Sequence, residues 1–329
     1  MKRLLAFFGS SSERLLALIG PALWWLVLFF ALPLAIMVVI SLAQRGPYGI
    51  VQYRWGWNAY VQAEEAAAKA AAAEAEEGTP AKPAPVPGRA GYARYVFQNY
   101  LRAFDPLYVP IYVRSVGFAF VTTILCLLLG YPIAYYIAIK APEKLRGAFL
   151  MLVVIPFWTS FLVRTYAWIL ILRSDGLINR ILATLGFAPM QLLYNDFAVL
   201  VGLVYGELPF MILPLYASIQ KLDTTLLEAA QDLGATPRQA FWRITVPLTR
   251  PGILAGTIFV FIPSIGAFVI PDLMGGSRSI MIGNLIQNQF LFTRDLPFGS
   301  AVCFLLTAVV LLALFVNALV AGEEKESHP

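Results

Sequence analysis

KLDTTLLEAAQDLGATPRQAFWRITVPLTR, residues 221–250, lies between two long apolar runs and encodes more structure than a connector needs. Thr225-x-x-Glu228 has the spacing of a capping box, in which the Glu carboxylate returns to the Thr amide. Leu226, Leu227, Ala229, Ala230 and Leu233 give the helix that follows an apolar face, and Gly234 supplies the left-handed residue that ends it. Thr236-Pro237-Arg238-Gln239 opens a second helix at once: Thr as N-cap, Pro in the first position and Gln in the third. Phe241, Trp242 and Ile244 are its apolar residues, and Val246-Pro247 is expected to end it. Connections of this kind are mostly a few residues long. Two helices and a sharp turn therefore predict an amphipathic hairpin suited to a groove on a soluble partner. A helix lying flat on the bilayer surface is the competing reading.

The rest of the chain says what surrounds that hairpin. Of 329 residues, 59% are hydrophobic and 13% charged, with a mean hydropathy of +0.72; soluble domains carry about 25% charged residues. Residues 22–43 run without a charge for long enough to cross a bilayer core of about 30 Å. The expectation is an all-α membrane protein. Its net charge of +5 is spread over helix flanks and forms no patch for nucleic acid. Cys126 and Cys303 sit in apolar segments and read as small hydrophobes. His328 is the only histidine, which leaves no His-based catalysis or metal centre, and no phosphate-binding glycine loop occurs.

Six apolar segments, roughly 21–43, 112–139, 149–172, 197–219, 251–271 and 298–320, are expected to be transmembrane helices. Trp24, Trp25, Tyr131, Tyr135, Tyr136, Trp158 and Trp168 stand near their ends as interfacial anchors. The N-terminal segment 1–20 has a basic start, and its apolar continuation reads as an uncleaved anchor rather than a leader. Basic residues favour one side by eleven to four. Lys2, Arg3, Arg14, Lys140, Lys144, Arg146, Lys221, Arg238, Arg243, Arg250 and Lys325 face Arg173, Arg180, Arg278 and Arg294. Both termini, including the tail 321–329, are therefore expected to be cytoplasmic. The long loop 44–110 lies outside and carries an Ala/Pro-rich insert at 63–91, read as a helix-forming stretch and an extended spacer.

With spans assigned, the hairpin acquires a family. Glu228-Ala229-Ala230, then Gly234, then Ile244-Thr245-Val246-Pro247 resembles the E-A-A…G…I-x-L-P signature of inner-membrane subunits of binding-protein-dependent ABC importers. Val246 stands where Leu is usual. The resemblance implies a type I importer permease, with residues 111–320 as the core and 220–250 as a coupling loop seated in an ATPase cleft. It also implies partners: a second permease subunit, two ATPase subunits holding ATP and Mg, and a periplasmic binding protein. The chain itself would be no enzyme and would need no cofactor. Residues 164–179, 208–223 and 268–290 look like the first permease subunit of the polyamine (spermidine/putrescine) branch, which implies a heterodimer. In that branch an acidic residue often precedes the Phe of the FVIP stretch; here it is Ala267, and opines or other small organic ions stay open as substrates.

Ionisable residues inside a membrane are costly and become functional candidates. Glu207 lies about 16 Å along the fourth segment, near the midplane, and is followed by Pro209 and Pro214. A broken helix with a carboxylate is a cation pathway in outline; a protonated Glu bonded to a neighbouring span is the alternative. Pro263 to Ala267 is expected to interrupt the fifth segment, as discontinuous helices do in many transporters. Asp272 stands at its outer end, able to receive a cation or to cap a helix. Trp168, Tyr166 and Tyr205 offer ring faces to an ammonium, or anchor the chain at the interface. Arg164 is expected to snorkel outward or to pair with Asp196 or Asp175. A secondary transporter needs no such hairpin. A membrane enzyme needs a catalytic constellation, and a scaffold needs no intramembrane carboxylate.

Overall fold

The computed structural model of the chain describes residues 19–20, 24–54, 56–76, 89–276 and 279–326. Most of segment 1–20, the proline-rich half of the insert, Arg278 and His328 lie outside those residues. The chain divides into two compact units.

The first unit comprises residues up to Asp105 and Asn288–Ala308. Helix α1 (Trp24–Ser41) is apolar on every side and long enough to cross a membrane. Its end is held by Asn99, whose amide donates to the carbonyls of Ser41 and Ala43, each at 2.8 Å. A small antiparallel pair follows, β1 (Gln44–Arg45) with β2 (Val51–Gln52). Helix α2 (Trp57–Glu76) begins ahead of the insert and takes up its Ala/Glu/Lys half, as helix propensity dictates. Two short helices come next, α3 (Arg89–Val96) and α4 (Gln98–Ala103). Tyr60 is fully buried, ringed by Trp57, Tyr92 and Tyr95 at centroid distances of 5.4 to 5.9 Å. Gly91 is required there, since a Cβ would stand 2.1 Å from the Tyr60 hydroxyl. The insert thus leaves and rejoins the chain at an aromatic knot.

The second unit comprises Pro106–Gln287 and the chain from Val309. Three helices make its centre: α5 (Val109–Lys140), α9 (Asp196–Ile219) and α12 (Arg250–Ile265). Between them come α6 (Glu143–Val154), α7 (Phe161–Leu172), α8 (Leu177–Thr184), α10 (Thr225–Asp232) and α11 (Pro237–Leu248). They are followed by α13 (Val269–Met274), α14 (Ile282–Leu291) and α15 (Leu296–Glu326). The central helix α9 packs through side chains too small to hold its neighbours off. Met211, fully buried, lies between Gly130 of α5 and Gly256 of α12, where added Cβ atoms would come within 3.1 and 2.6 Å of it. Gly252 sits against Ser218 and the Pro214 carbonyl, so Gly252-x-x-x-Gly256 is a small-residue stripe that admits α12. Higher on α9, Gly202 does the same for Ile270 and Met274 of α13.

Helix α1, α5 and α9 are each long and apolar enough to span, and α15 continues the apolar pattern over Leu296–Leu312. The two remaining segments are bent. The 149–172 segment, expected to be one helix, turns by 91° between α6 and α7. Pro156 has no amide to extend the α-ladder, so the chain tightens into a 3-10 turn at Ile155–Trp158 and runs extended at Thr159 and Ser160. The other bend, 66°, separates α11 from α12 at Thr249.

Two further expectations are corrected. Pro209 and Pro214 do not interrupt α9, which runs unbroken from Asp196 to Ile219. Membrane helices tolerate proline where neighbouring groups or local adjustment take up the carbonyls left without an amide, here those of Tyr205 and Phe210. Tyr131 is a core residue and not an interfacial anchor, 7% exposed with its hydroxyl 2.8 Å from Thr249 Oγ1. Trp24, Trp25 and Trp158 are well exposed. The tail at 321–326 continues α15.

Candidate functional site: an exposed hairpin and two ionisable groups in the membrane segments

The hairpin forms at the C-terminal end of α9 and owes its shape to its caps. Helix α10 is not opened by Thr225 and Glu228. Its N-cap is Thr224, without a side-chain cap bond, and the Asp223 carboxylate accepts from the Thr225 amide at 3.0 Å. That bond makes Thr225 the first helical residue and leaves Glu228 one position too late for a capping box. It also holds the Asp223 carboxyl below the ordinary carboxylate range. At the other end Gly234 has φ +87°. The Ala235 amide donates to Ala230 O and the Gly234 amide to Gln231 O, both at 2.9 Å, the paired bonds of a Schellman motif. Thr236 and Gln239 form the expected box: the Gln239 amide donates to Thr236 Oγ1 (3.3 Å) and the Thr236 amide to Gln239 Oε1 (2.9 Å).

Pro247 does not end the second helix, which continues to Leu248. A wide π turn at Phe241–Thr245 lets the Val246 amide reach Phe241 O, so the bond that Pro247 cannot make falls in backbone already out of α register. Ala240 is buried, and Phe241 packs edge-on against Tyr131 (5.5 Å) and Tyr135 (5.6 Å) of α5. Those contacts root the hairpin. Its tip is open: no residue of α10 is buried, and Leu226, Leu233 and Trp242 are 48%, 90% and 61% exposed. Glu228 and Ala229 are exposed, whereas Ala230, Ile244 and Pro247 are half-buried nearer the root. An open groove of about 620 Å³ runs beside α10 between the ends of α9 and α12, with Lys221, Asp223 and Leu248 among its walls.

The intramembrane candidates divide. Trp168 of α7 and Tyr205 of α9 meet edge to face at 5.5 Å. Tyr166, two residues from Trp168 and so on another side of α7, is 53% exposed and does not join them. Asp272 is exposed in the first turn of α13, where a carboxylate suits the helix dipole. Glu207 is half-buried, and its Oε2 is fully enclosed without a hydrogen-bond partner. The fifth segment breaks at Gly266–Phe268 as its sequence implied, and Asn284 Nδ2 donates (2.8 Å) to the Phe268 carbonyl, which also accepts the Asp272 amide (3.0 Å) at the start of α13.

Arg164 does not take the partners expected of it. Asp196 is bonded to Arg114 and accepts from Ser279 Oγ at 3.0 Å, while Asp175 pairs with Arg173 at 3.2 Å. Arg164 instead lies over the ring of Phe157 (4.8 Å) and near that of Phe161 (5.9 Å). Phe157 in turn meets Phe210 edge-on at 5.1 Å. Sequence reasoning missed the three phenylalanines, because only the bend at Thr159–Ser160 turns Phe157 and Phe161 toward one guanidinium. Pro156 inside an apolar run was the available sign.

Comparison with known proteins gives this arrangement a lineage. Residues 130–322 match the family described as binding-protein-dependent transport system inner membrane component. The chain is 47% identical over 231 residues to the spermidine/putrescine transport system permease protein PotB of Escherichia coli K12, covering 69% of this chain and 84% of that one. The PotB of Haemophilus influenzae is 46% identical over 221 residues, 67% of this chain and 77% of its own. The inner membrane ABC transporter permease protein YdcU of E. coli K12 is 34% identical over 231 residues, covering 66% and 73%. Among solved structures, a bacterial ABC transporter involved in the import of the acidic polysaccharide alginate superposes with a TM-score of 0.60 over 93% of this chain and 94% of that one. At 17% identity the likeness is one of fold. The type I ABC importer permease fold, the matched family and the hairpin agree, and the chain belongs to the binding-protein-dependent transport system inner membrane components.

Proposed function

We propose that this chain is the first of two permease subunits of an ATP-driven importer, carrying a polyamine such as spermidine or putrescine into the cytoplasm. The carrying observation is the hairpin itself: capped at its turn, rooted on α5 through Phe241, and presenting Leu226, Leu233 and Trp242 uncovered. A groove in a separate ATPase subunit is the complementary surface. In this reading the chain has six spans and cytoplasmic termini, which would put the hairpin on the ATPase side; the eleven-to-four distribution of basic residues supports it. The outer loops would receive substrate from a periplasmic binding protein. ATP binding would draw two hairpins together and open the spans outward, and hydrolysis would reset them. Polyamine as cargo is supported by the 47% identity to PotB and by Glu207, a carboxylate in the membrane segment. Residues Trp168, Tyr205 and Asp272 are offered as further contacts along the path.

The test is a Leu233→Asp/Trp242→Ser variant of the complex, assembled with its ATPase in proteoliposomes. ATPase association and uptake should fall at least tenfold while the permease keeps its melting temperature; normal coupling would remove the assignment. For the cargo, the binding protein encoded beside this chain should be stabilised against heat by spermidine or putrescine. Stabilisation by a neutral sugar instead would end the cation reading.

A further inference from the structure

The guanidinium of Arg164 is not placed as a structural ion pair. Its Nε and Nη1 atoms are enclosed and donate to no partner, and Glu207 Oε2 is likewise enclosed and unpartnered. No salt bridge joins the two among the described residues, but Phe157, under the guanidinium, also meets Phe210, which follows Glu207 by one turn on α9. What holds Arg164 is aromatic: the faces of Phe157 and Phe161, from the two sides of a 91° bend. A cation over ring faces is the arrangement by which proteins take up alkylammonium groups. Only about 10 Å³ of free space remains among Arg164, Trp168, Tyr205 and Ile270, room for one water at most. A flexible stem brings the cation in, and nothing but rings keeps it there.

We infer that Arg164 is a tethered occupant of the substrate site. Its guanidinium fills an aromatic site facing α9, the helix that carries Glu207, in the substrate-free protein and must be displaced by an ammonium group of the incoming cation. The inference rests on the cation-transport reading above. Leaving an enclosed donor without its hydrogen bonds is costly, so the occupied state is held weakly enough to yield. Arg164 also sets specificity, since a neutral solute gains nothing at the vacated rings. A site occupied by its own chain most of the time binds ligand more weakly by the fraction that is free.

The experiment uses the full complex in detergent without its binding protein, with putrescine and spermidine titrated against Arg164→Gln. Direct binding should tighten by about tenfold in the variant, and Arg164→Lys, which keeps a cation but loses the planar stack, should fall between. Binding unchanged or weakened in an assembled Arg164→Gln complex overturns the inference. Arg164→Met, whose unbranched stem still packs on the rings, serves if the Gln variant does not assemble. Failure of both to assemble also overturns it, because a displaceable occupant cannot be required for the fold. Glu207→Gln separates this from the cargo reading. Uptake surviving that change defeats the cation pathway itself, whereas its loss beside an inert Arg164→Gln defeats only the tethered occupant.

Discussion

The hairpin at 223–248 and the helix bundle beneath it are built from opposite materials. Every bond that shapes the hairpin joins residues at most five apart: Asp223 to Thr225, Ala235 to Ala230, Thr236 to Gln239. The bundle is shaped by contacts across the sequence: Met211 between Gly130 and Gly256, Tyr131 on Thr249, Asn284 on the Phe268 carbonyl. The first can be altered without disturbing the second. The hairpin holds its own shape while its apolar tip stays uncovered. The bundle must instead pack closely and still accommodate broken helices around a charge.

The largest effect should come from overfilling the bundle. Gly256→Leu drives a side chain into Met211, whose sulfur a Cβ alone would approach to 2.6 Å. Overpacking costs about 1–3 kcal/mol. We expect a clear fall in the melting temperature of the purified permease and loss of assembled complex. An unchanged melting temperature would mean that α9 and α12 are not in this contact. Gly234→Val is the matched change in the hairpin. A β-branched residue at φ +87° carries a local penalty of about 1–2 kcal/mol, and nothing stands within 4 Å of the position. Uptake should fall while the melting temperature holds. If both glycine variants lowered stability alike, the division between the two regions would fail.

That division also explains what could be read from sequence. Gly234, Pro237 and the Thr236–Gln239 box are local signals, so the hairpin was legible almost residue by residue. It went wrong where two local signals competed: Asp223, two residues ahead, captured the Thr225 amide and shifted the helix start. In the bundle, hydropathy picked out α5 and α9, which are long and apolar enough to span, because that property depends on composition alone. It could not show that α9 stays whole through two prolines or that a bend follows Pro156. Both depend on whether neighbours satisfy the freed carbonyls. Arg164 shows the limit most plainly. Its expected carboxylates were real ion-pair partners, but Arg114 and Arg173 hold them, and its phenylalanines come together only after the bend.

Smaller changes sharpen the comparison within the hairpin. Thr236→Ala removes the N-cap acceptor and should cost about 1 kcal/mol of second-helix stability. Uptake should drop severalfold, with recovery in Thr236→Ser, which keeps the oxygen. Equal loss in both variants would point to the methyl group and not to the cap.

The smallest effect belongs to Asp223, and it has a sign. Its carboxyl titrates below the ordinary value of 3.8 because the ionised form accepts the Thr225 amide. A depressed folded value stabilises the hairpin at every pH above the unfolded one and is lost only as pH falls through the folded one. Hydrogen exchange at the Thr225 amide should therefore stay equally protected across neutral and mildly acidic pH, once corrected for intrinsic rate, and lose protection only in strong acid. Asp223→Asn, which retains an acceptor without the charge, should flatten that acid transition and leave uptake near neutrality almost unchanged. Protection that fell between neutral and mildly acidic pH would assign the start of α10 to some other group and separate Asp223 from the local bonds that make the hairpin self-contained.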